Sequence, residues 1–186
     1  GPFLVAVLAG ALVGVALDPG GDLPTWPSGP GVTLDESFNV QQGVYLKRGI
    51  ATYGWGALDP ASLQEIFNIE NGYLPDHPPL GRLWLGVAHD LAFDVLPTET
   101  VERTGWSLLH ARFGSAVAFA LTVLLIGWVA AYLYNPATGF FSSLALVMMP
   151  RVVGHAHLAS LETVTNLFYT IAVLSVAACW TKSQPP

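Results

Sequence analysis

The chain has 186 residues, of which 52% are hydrophobic and only 11% are charged, and its mean hydropathy is +0.50. Soluble domains carry about 25% charged residues, so this composition indicates a membrane protein. The formal net charge of −6 argues against nucleic-acid binding, which needs a basic surface, and the single Cys179 excludes an intrachain disulfide.

The first predicted element is a transmembrane helix over residues 1–17, continuously apolar from Phe3 to Leu17. That apolar run is shorter than the roughly 20 residues of a full span, and we expect a trimmed N terminus to supply the rest. The hydrophobic region of a signal peptide is the alternative, although its usual basic N-terminal part is missing. Residues 18–111 then form a long outer loop that begins with many prolines and glycines.

Three helices are predicted within this loop. Thr33 followed by Glu36 fits a capping box, which starts a helix that runs from Asp35 to about Lys47 and that Gly49 could end. A short helix is expected from Ala61 to Ile69, and a longer one after the proline pair at 78–79. We expect the helices at 36–49 and 79–95 to lie along the membrane surface. The first is not apolar enough to span it, and the apolar run of the second is interrupted by Arg82, His89, Asp90 and Asp94, which favours an interfacial helix over the alternative of a poor spanning helix.

The second half of the chain predicts three further spans. Residues 113–133 contain no charge, which indicates a transmembrane helix over 112–133. Further spans are expected at 139–153 and 163–181, separated by an outer loop at 154–162. The sequence thus predicts an all-α membrane protein with about four transmembrane helices. If Lys182 is cytoplasmic by the positive-inside rule, both long loops and all thirteen acidic residues face outward.

This topology brings three polar clusters to the outer face: Asp35-Glu36, Asp76-His77 with Arg82, and His155-Ala156-His157 with Glu162. A carboxylate can accept the proton of an attacking hydroxyl, and cationic donors can hold a phosphate on which charge develops, so the clusters suit group transfer from a lipid-borne phosphate.

Each member of these clusters also has a plainer explanation. Glu36 can be the capping partner of Thr33, while Arg82 and Arg112 can anchor helix ends by snorkelling. His155 and His157 would bind zinc only with further ligands, so no metal site is predicted and a divalent metal is left open as a cofactor.

Several motifs resemble a known family in the same order along the chain. Thr33-Leu34-Asp35-Glu36 is similar to the Asp-Glu signature of the GT-C membrane glycosyltransferases. The stretch from Asp76 to Arg82 (Asp-His-Pro-Pro-Leu-Gly-Arg) resembles the Asp-x-His-Pro-Pro-(Leu/Phe)-Gly-Lys stretch of the protein O-mannosyltransferase branch. Residues 111–116 look like the opening of that family's second span, and residues 150–162 are similar to its second outer loop.

The resemblance implies the N-terminal part of a GT-C fold, with the first four spans of a larger protein in the bacterial plasma membrane. It implies a polyprenyl-phosphate-linked sugar as donor, and an acceptor protein, lipid or glycan that is modified at the outer face with inversion at the anomeric carbon. Membrane lipid is the other expected partner. Asp35, Glu36 and Glu162 are the candidate catalytic carboxylates, with Asp35 as the base and Glu162 as the second acid.

The candidate donor-phosphate or substrate ligands are His77, Arg82, Arg112, Arg151 and His157. His157 stands where the family often has Arg, and because an imidazole is a weaker permanent cation than a guanidinium, more of the phosphate binding falls to Arg82 or Arg151. The alternative function is a non-enzymatic transporter fragment whose polar residues line a pathway. Ionisable residues lie almost entirely at loops and helix ends, which favours the enzyme.

Overall fold

The computed structural model describes residues 1–18, 33–93 and 105–183, and within these ranges it contains eight α-helices and no β-strand. The predicted all-α class is confirmed. The predicted connector at 97–103 and most of the loop at 18–34 lie outside the described residues. The helices are α1 (Pro2–Val15), α2 (Leu34–Tyr53), α3 (Pro60–Ile66), α4 (Pro79–Phe93), α5 (Leu108–Leu133), α6 (Pro136–Val147), α7 (Pro150–Ala156) and α8 (Leu161–Ser183).

Two of the described helices are long and apolar enough to cross a membrane. Helix α5 has 26 residues, which at 1.5 Å per residue gives about 39 Å and exceeds a hydrocarbon core of about 30 Å. Helix α8 passes the same test over Leu161–Trp180. These helices match the predicted spans at 112–133 and 163–181, although both begin earlier than predicted.

Residues 139–153 fall on two helices, so the span predicted there stays a prediction. Helices α6 and α7 are bent by 71° at a short break, so the pair is either a broken span or a re-entrant loop. Pro150 causes the break, because proline lacks the N–H that a continuing helix would donate and its ring clashes with the preceding turn. The described residues therefore hold two candidate spans, or three if the bent pair counts as one.

The first predicted span and the predicted second outer loop are not settled by the helix bounds. Helix α1 has 14 residues, about 21 Å, so the span predicted at 1–17 stays a prediction. Within residues 154–162, α7 continues to Ala156 and α8 begins at Leu161, and the position of this segment outside the membrane also stays a prediction.

The described residues divide into two structural units. The first unit draws on Gly1–Ala16, Ser115–Leu158 and Glu162–Pro186. Its helices approach closely at small residues, since a Cβ at Gly139 would collide with the backbone of Gly127. Nearby, the Ser143 hydroxyl donates to the carbonyl of Val123 at 3.1 Å. Small residues of this kind allow the close helix packing that is common in membranes.

The second unit draws on Leu17–Gly114 and Ala159–Leu161. In it, α2 packs backbone to backbone against α4, because a Cβ at Gly43 would collide with the carbonyl of Arg82 and one at Gly86 with the backbone of Gly43. Helix α2 does not end at Gly49 as predicted but continues to Tyr53, where Gly54 adopts a positive φ of 54°. The C-terminal half of α2 and the residues that follow it form a small hydrophobic core: Leu46, Ala57, Ile66 and Tyr73.

Candidate functional site

The first turn of α2 carries the capping box that the sequence predicts. The backbone N–H of Glu36 donates to the Thr33 hydroxyl at 3.3 Å, and the backbone N–H of Thr33 donates to Glu36 Oε2 at 3.2 Å. Both exchanges satisfy N–H groups that a helix start otherwise leaves without a partner. The turn thereby fixes the backbone at the Asp35-Glu36 pair.

Glu36 has a second set of partners that come from distant parts of the chain. Arg112 donates from Nε to Oε1 and from Nη2 to Oε2 of Glu36, both at 2.7 Å. The backbone N–H of Ala159 donates to Oε1, also at 2.7 Å, and Arg112 Nη1 donates to the carbonyl of Asp18. A two-pronged Arg–carboxylate contact is strong and directional, so Glu36 joins the start of α2 to the start of α5 and to residue 159.

The ionisation of Glu36 follows from these contacts. Burial by itself raises the pKa of the Glu36 carboxyl, but the hydrogen bonds from Arg112, Ala159 and Thr33 and the charge of Arg112 outweigh it, and the net pKa lies below the ordinary value. Glu36 is therefore an ionised acceptor at neutral pH, with both oxygens engaged. This arrangement suits a structural anchor and not a proton-transferring group.

Asp35 is the opposite case, although it is the next residue. Its side chain is exposed, and it makes no hydrogen bond or ion pair with any residue that the structure describes. Because its backbone belongs to the capped turn and its neighbour Glu36 is immobilised, the Asp35 carboxylate is presented to solvent from a rigid base. It is thus the available carboxylate of the pair.

Arg82 is buried and is held by four groups of the second unit. Its Nε donates to Asn39 Oδ1 at 3.1 Å, its Nη1 to the carbonyl of Leu74 at 2.6 Å, and its Nη2 lies 2.8 Å from Asp76 Oδ1. The guanidinium also lies 4.9 Å from the centre of the Phe38 ring. Arg82 therefore fastens the 74–76 segment to the same helix that carries Asp35.

The Asp76-His77 pair lies at the surface of the second unit. Desolvation raises the pKa of Asp76. The hydrogen bond from Arg82 and the charges of Arg82 and His77 lower it by more than desolvation raises it, so the net pKa is below the ordinary value. His77 is exposed. Of this predicted cluster, the structure joins Asp76 to Arg82 and leaves the imidazole of His77 accessible.

The remaining candidates belong to the first unit. Arg151 and Glu162 are exposed, and His155 Nδ1 lies 4.0 Å from Glu162 Oε2. His157 Nδ1 lies 2.8 Å from the carbonyl oxygen of Val153. Because a carbonyl oxygen can only accept, Nδ1 is the donor in this hydrogen bond, and Nε2 on the other side of the ring points away from α7. The predicted parts of Arg151, His157 and Glu162 in a site with Asp35 stay predictions.

Sequence reasoning missed one polar cluster. Lys47 pairs with Asp90, Asp90 Oδ1 lies 2.9 Å from Nδ1 of the buried His89, and the backbone N–H of Ser107 donates to His89 Nε2 at 2.9 Å. Because Nε2 accepts, Nδ1 carries the proton of a neutral ring. The only signal was the His89-Asp90 pair inside an apolar helix.

Desolvation raises the pKa of Asp90, but the hydrogen bonds from Lys47 and His89 and the charge of Lys47 bring the net pKa below the ordinary value. This cluster fixes α4 to α2 and to the residues just before α5.

No three His, Cys, Asp or Glu side chains gather as a metal-binding group in the part of the chain that the structure describes. Comparison of the chain with models of protein families, with curated proteins and with solved structures finds no match.

Proposed function

We propose that the chain is part of a GT-C-type membrane glycosyltransferase that moves a sugar from a polyprenyl-phosphate donor to an acceptor protein, lipid or glycan. The observation that carries the proposal is the different environment of two adjacent carboxylates, one buried and bonded and the other exposed. Glu36 is buried and fully engaged with Arg112, Ala159 and Thr33, whereas Asp35 is exposed on the same rigid turn. A general base needs a positioned carboxylate that an acceptor can reach.

The proposed reaction uses Asp35 as that base. Its carboxylate accepts the proton of the acceptor hydroxyl or amine while the acceptor atom attacks the anomeric carbon. The bond from that carbon to the phosphate oxygen breaks with inversion, and the polyprenyl phosphate leaves with the electron pair. Cations near the departing phosphate would stabilise the charge that develops on it.

Arg82 is paired with Asp76 and Arg112 with Glu36, and this changes the role of both arginines in the proposal. Both guanidinium groups are buried and bound to protein carboxylates, so they act as positioning residues for the 74–76 segment and for the start of α2. The exposed candidates for the donor phosphate are His77 and Arg151. His157 keeps one ring nitrogen beyond its contact with Val153 and remains a third candidate.

The finer parts of the proposal follow from the motif order along the chain and its resemblance to the GT-C family: four spans including residues 1–17, a site at the outer face and a bacterial plasma membrane. The two or three candidate spans support a membrane location. The absence of charge from residues 113–133 gives no support to a transport pathway through α5, because such pathways place ionisable residues within spans.

The test is sugar transfer by the natural gene product in liposomes. We expect turnover of a polyprenyl-phosphate sugar and none of a nucleotide sugar, and we expect Asp35→Asn to abolish most of the turnover. Asp59→Asn is the matched control, because Asp59 is also an exposed helix-start aspartate and makes no capping hydrogen bond. Wild-type turnover that needs a nucleotide sugar, or equal losses in both variants, would refute the proposal.

A further inference from the structure

A short 3₁₀ turn, Gly54–Leu58, follows α2 and carries two large apolar side chains into solvent. Trp55 is 93% exposed and Leu58 is 74% exposed, whereas Ala57 between them is only 4% exposed. Residues three apart lie on the same edge of a 3₁₀ helix, so Trp55 and Leu58 form one protruding edge.

The turn holds this edge in a fixed position. Ala57 packs in the core with Leu46, Ile66 and Tyr73, and Gly54 takes the positive φ that reverses the chain after α2. The exposed pair is therefore presented from a packed platform. Exposure of a tryptophan and a leucine to water is unfavourable, because removing their apolar surface from water lowers the free energy.

We propose that this turn inserts Trp55 and Leu58 into the interfacial layer of the membrane that α5 crosses. Residues Leu108–Gly114 of the second unit are the first turns of α5, and this helix continues without a break into a candidate span. The chain of the unit that carries the turn thus continues into a candidate membrane span. Tryptophan favours the membrane–water interface, where its ring is apolar and its N–H can reach water or headgroups.

The chain around the turn has the charge distribution that such insertion requires. Residues 50–58 contain no charged side chain, and Asp59 directly after them marks the return to water. On the other side Arg48 is exposed about two helical turns before Trp55. One of its guanidinium nitrogens donates to the carbonyl of Gly105 at 3.0 Å, and the remaining donors are those that a lipid phosphate could use.

Insertion of the turn sets the direction of α2. This helix has 20 residues, about 30 Å, and its first turn is bound through Glu36 to Arg112 near the start of α5. The far end can enter the interface only if α2 lies along the membrane plane. The inference does not depend on the proposed glycosyltransferase activity.

The test is nitroxide labelling of Leu58→Cys and Glu70→Cys, each in a Cys179→Ser background, in phosphatidylethanolamine–phosphatidylglycerol liposomes. Glu70 is an exposed residue of the same unit and serves as the water-facing control. We expect the label at 58 to collide with oxygen, which concentrates in lipid, more than with a soluble nickel chelate. The label at 70 should show the reverse preference.

Two outcomes would overturn the inference. Equal preference for the nickel chelate at both positions would place the turn in water. Exclusion of both reagents at position 58 alone would mean that protein covers the turn instead of lipid. Quenching of tryptophan emission by lipids brominated near the headgroup gives a second reading, and we expect the quenched fraction to fall in Trp55→Phe.

Discussion

Glu36 and Arg112 show how one contact can decide the structural meaning of a residue. Sequence reasoning identified the capping box, because Thr33 and Glu36 are three residues apart and the motif is local. It missed the ion pair, because Arg112 is 76 positions away and nothing in the local pattern points to it. Arg82 and Arg112 are both bound to carboxylates of the chain, and their predicted binding of a donor phosphate stays a prediction.

The ion pair predicts a large loss of stability in Glu36→Gln. Glutamine can still complete the capping box, but it leaves the buried Arg112 guanidinium with only the Asp18 carboxylate, 3.9 Å from Nη1, as a countercharge. Removal of one partner of a buried pair costs about 3–5 kcal/mol, whereas exposed substitutions usually stay within about 0.5 kcal/mol. Thermal unfolding should therefore show a marked decrease for Glu36→Gln and almost none for the exposed control Glu70→Gln. Similar unfolding temperatures would contradict a stabilising role for the pair.

Acid should weaken the fold partly through Glu36. Its pKa in the folded protein is below the ordinary 4.5, so its contribution to stability is complete above that value and is lost as the pH falls through the folded pKa. Asp76 and Asp90 act in the same direction. Between about pH 7 and pH 3 the unfolding temperature of Glu36→Gln should fall less than that of wild type, because the variant lacks one of the titrating groups. Equal decreases would remove Glu36 from the acid response.

At the scale of the elements, the close contact of α2 and α4 depends on glycine. The sequence interpretation took Gly49 as a possible end of α2, yet Gly43 and Gly49 both lie inside the helix. Helix propensity alone could not predict that α2 continues through these glycines, because propensity is a local property and does not include the backbone of α4 that packs against Gly43. The bend between α6 and α7, in contrast, had a visible sequence signal in Pro150.

Gly43→Ala and Gly49→Ala form a matched pair on one helix. A Cβ at position 43 collides with backbone atoms of Arg82, and overpacking of this kind costs about 1–3 kcal/mol. A Cβ at position 49 meets Ile66 at an ordinary 3.5 Å, so alanine should be neutral there or should stabilise by up to about 1 kcal/mol. Chemical denaturation in detergent measures both. A stable Gly43→Ala variant would contradict the backbone contact between α2 and α4.

At the scale of the whole molecule, composition was enough to indicate an all-α membrane protein, and the uncharged run at 113–133 was enough to locate α5. The number of spans was harder to predict, because α1 is short and the α6–α7 pair is bent. Hydropathy along the sequence registers apolar length and not the angle between two consecutive helices. The structure therefore supports two or three spans, and the predicted fourth depends on residues 1–17.

Cysteine labelling can decide whether the α6–α7 pair crosses the membrane. We expect an impermeant thiol reagent to label Glu162→Cys from outside and Thr138→Cys only after permeabilisation, each in a Cys179→Ser background. Thr138 lies in the first turn of α6 and Glu162 in the first turn of α8, so opposite sides mean that the pair is a broken span. Labelling of both from outside would make it a re-entrant loop and would reverse the predicted orientation of α5.

The most direct test of the central claim crosses two variants with two measurements: Asp35→Asn and Glu36→Gln, each examined for sugar transfer from a polyprenyl-phosphate donor and for thermal unfolding. The account predicts that Asp35→Asn unfolds like wild type and loses about 10²–10⁴-fold in turnover, roughly 3–5 kcal/mol of barrier, since asparagine keeps the shape and cannot take the proton. Glu36→Gln should be the variant that loses stability. Near-wild-type turnover in Asp35→Asn, beside a stable but inactive Glu36→Gln, would contradict the account and make Glu36 the catalytic carboxylate.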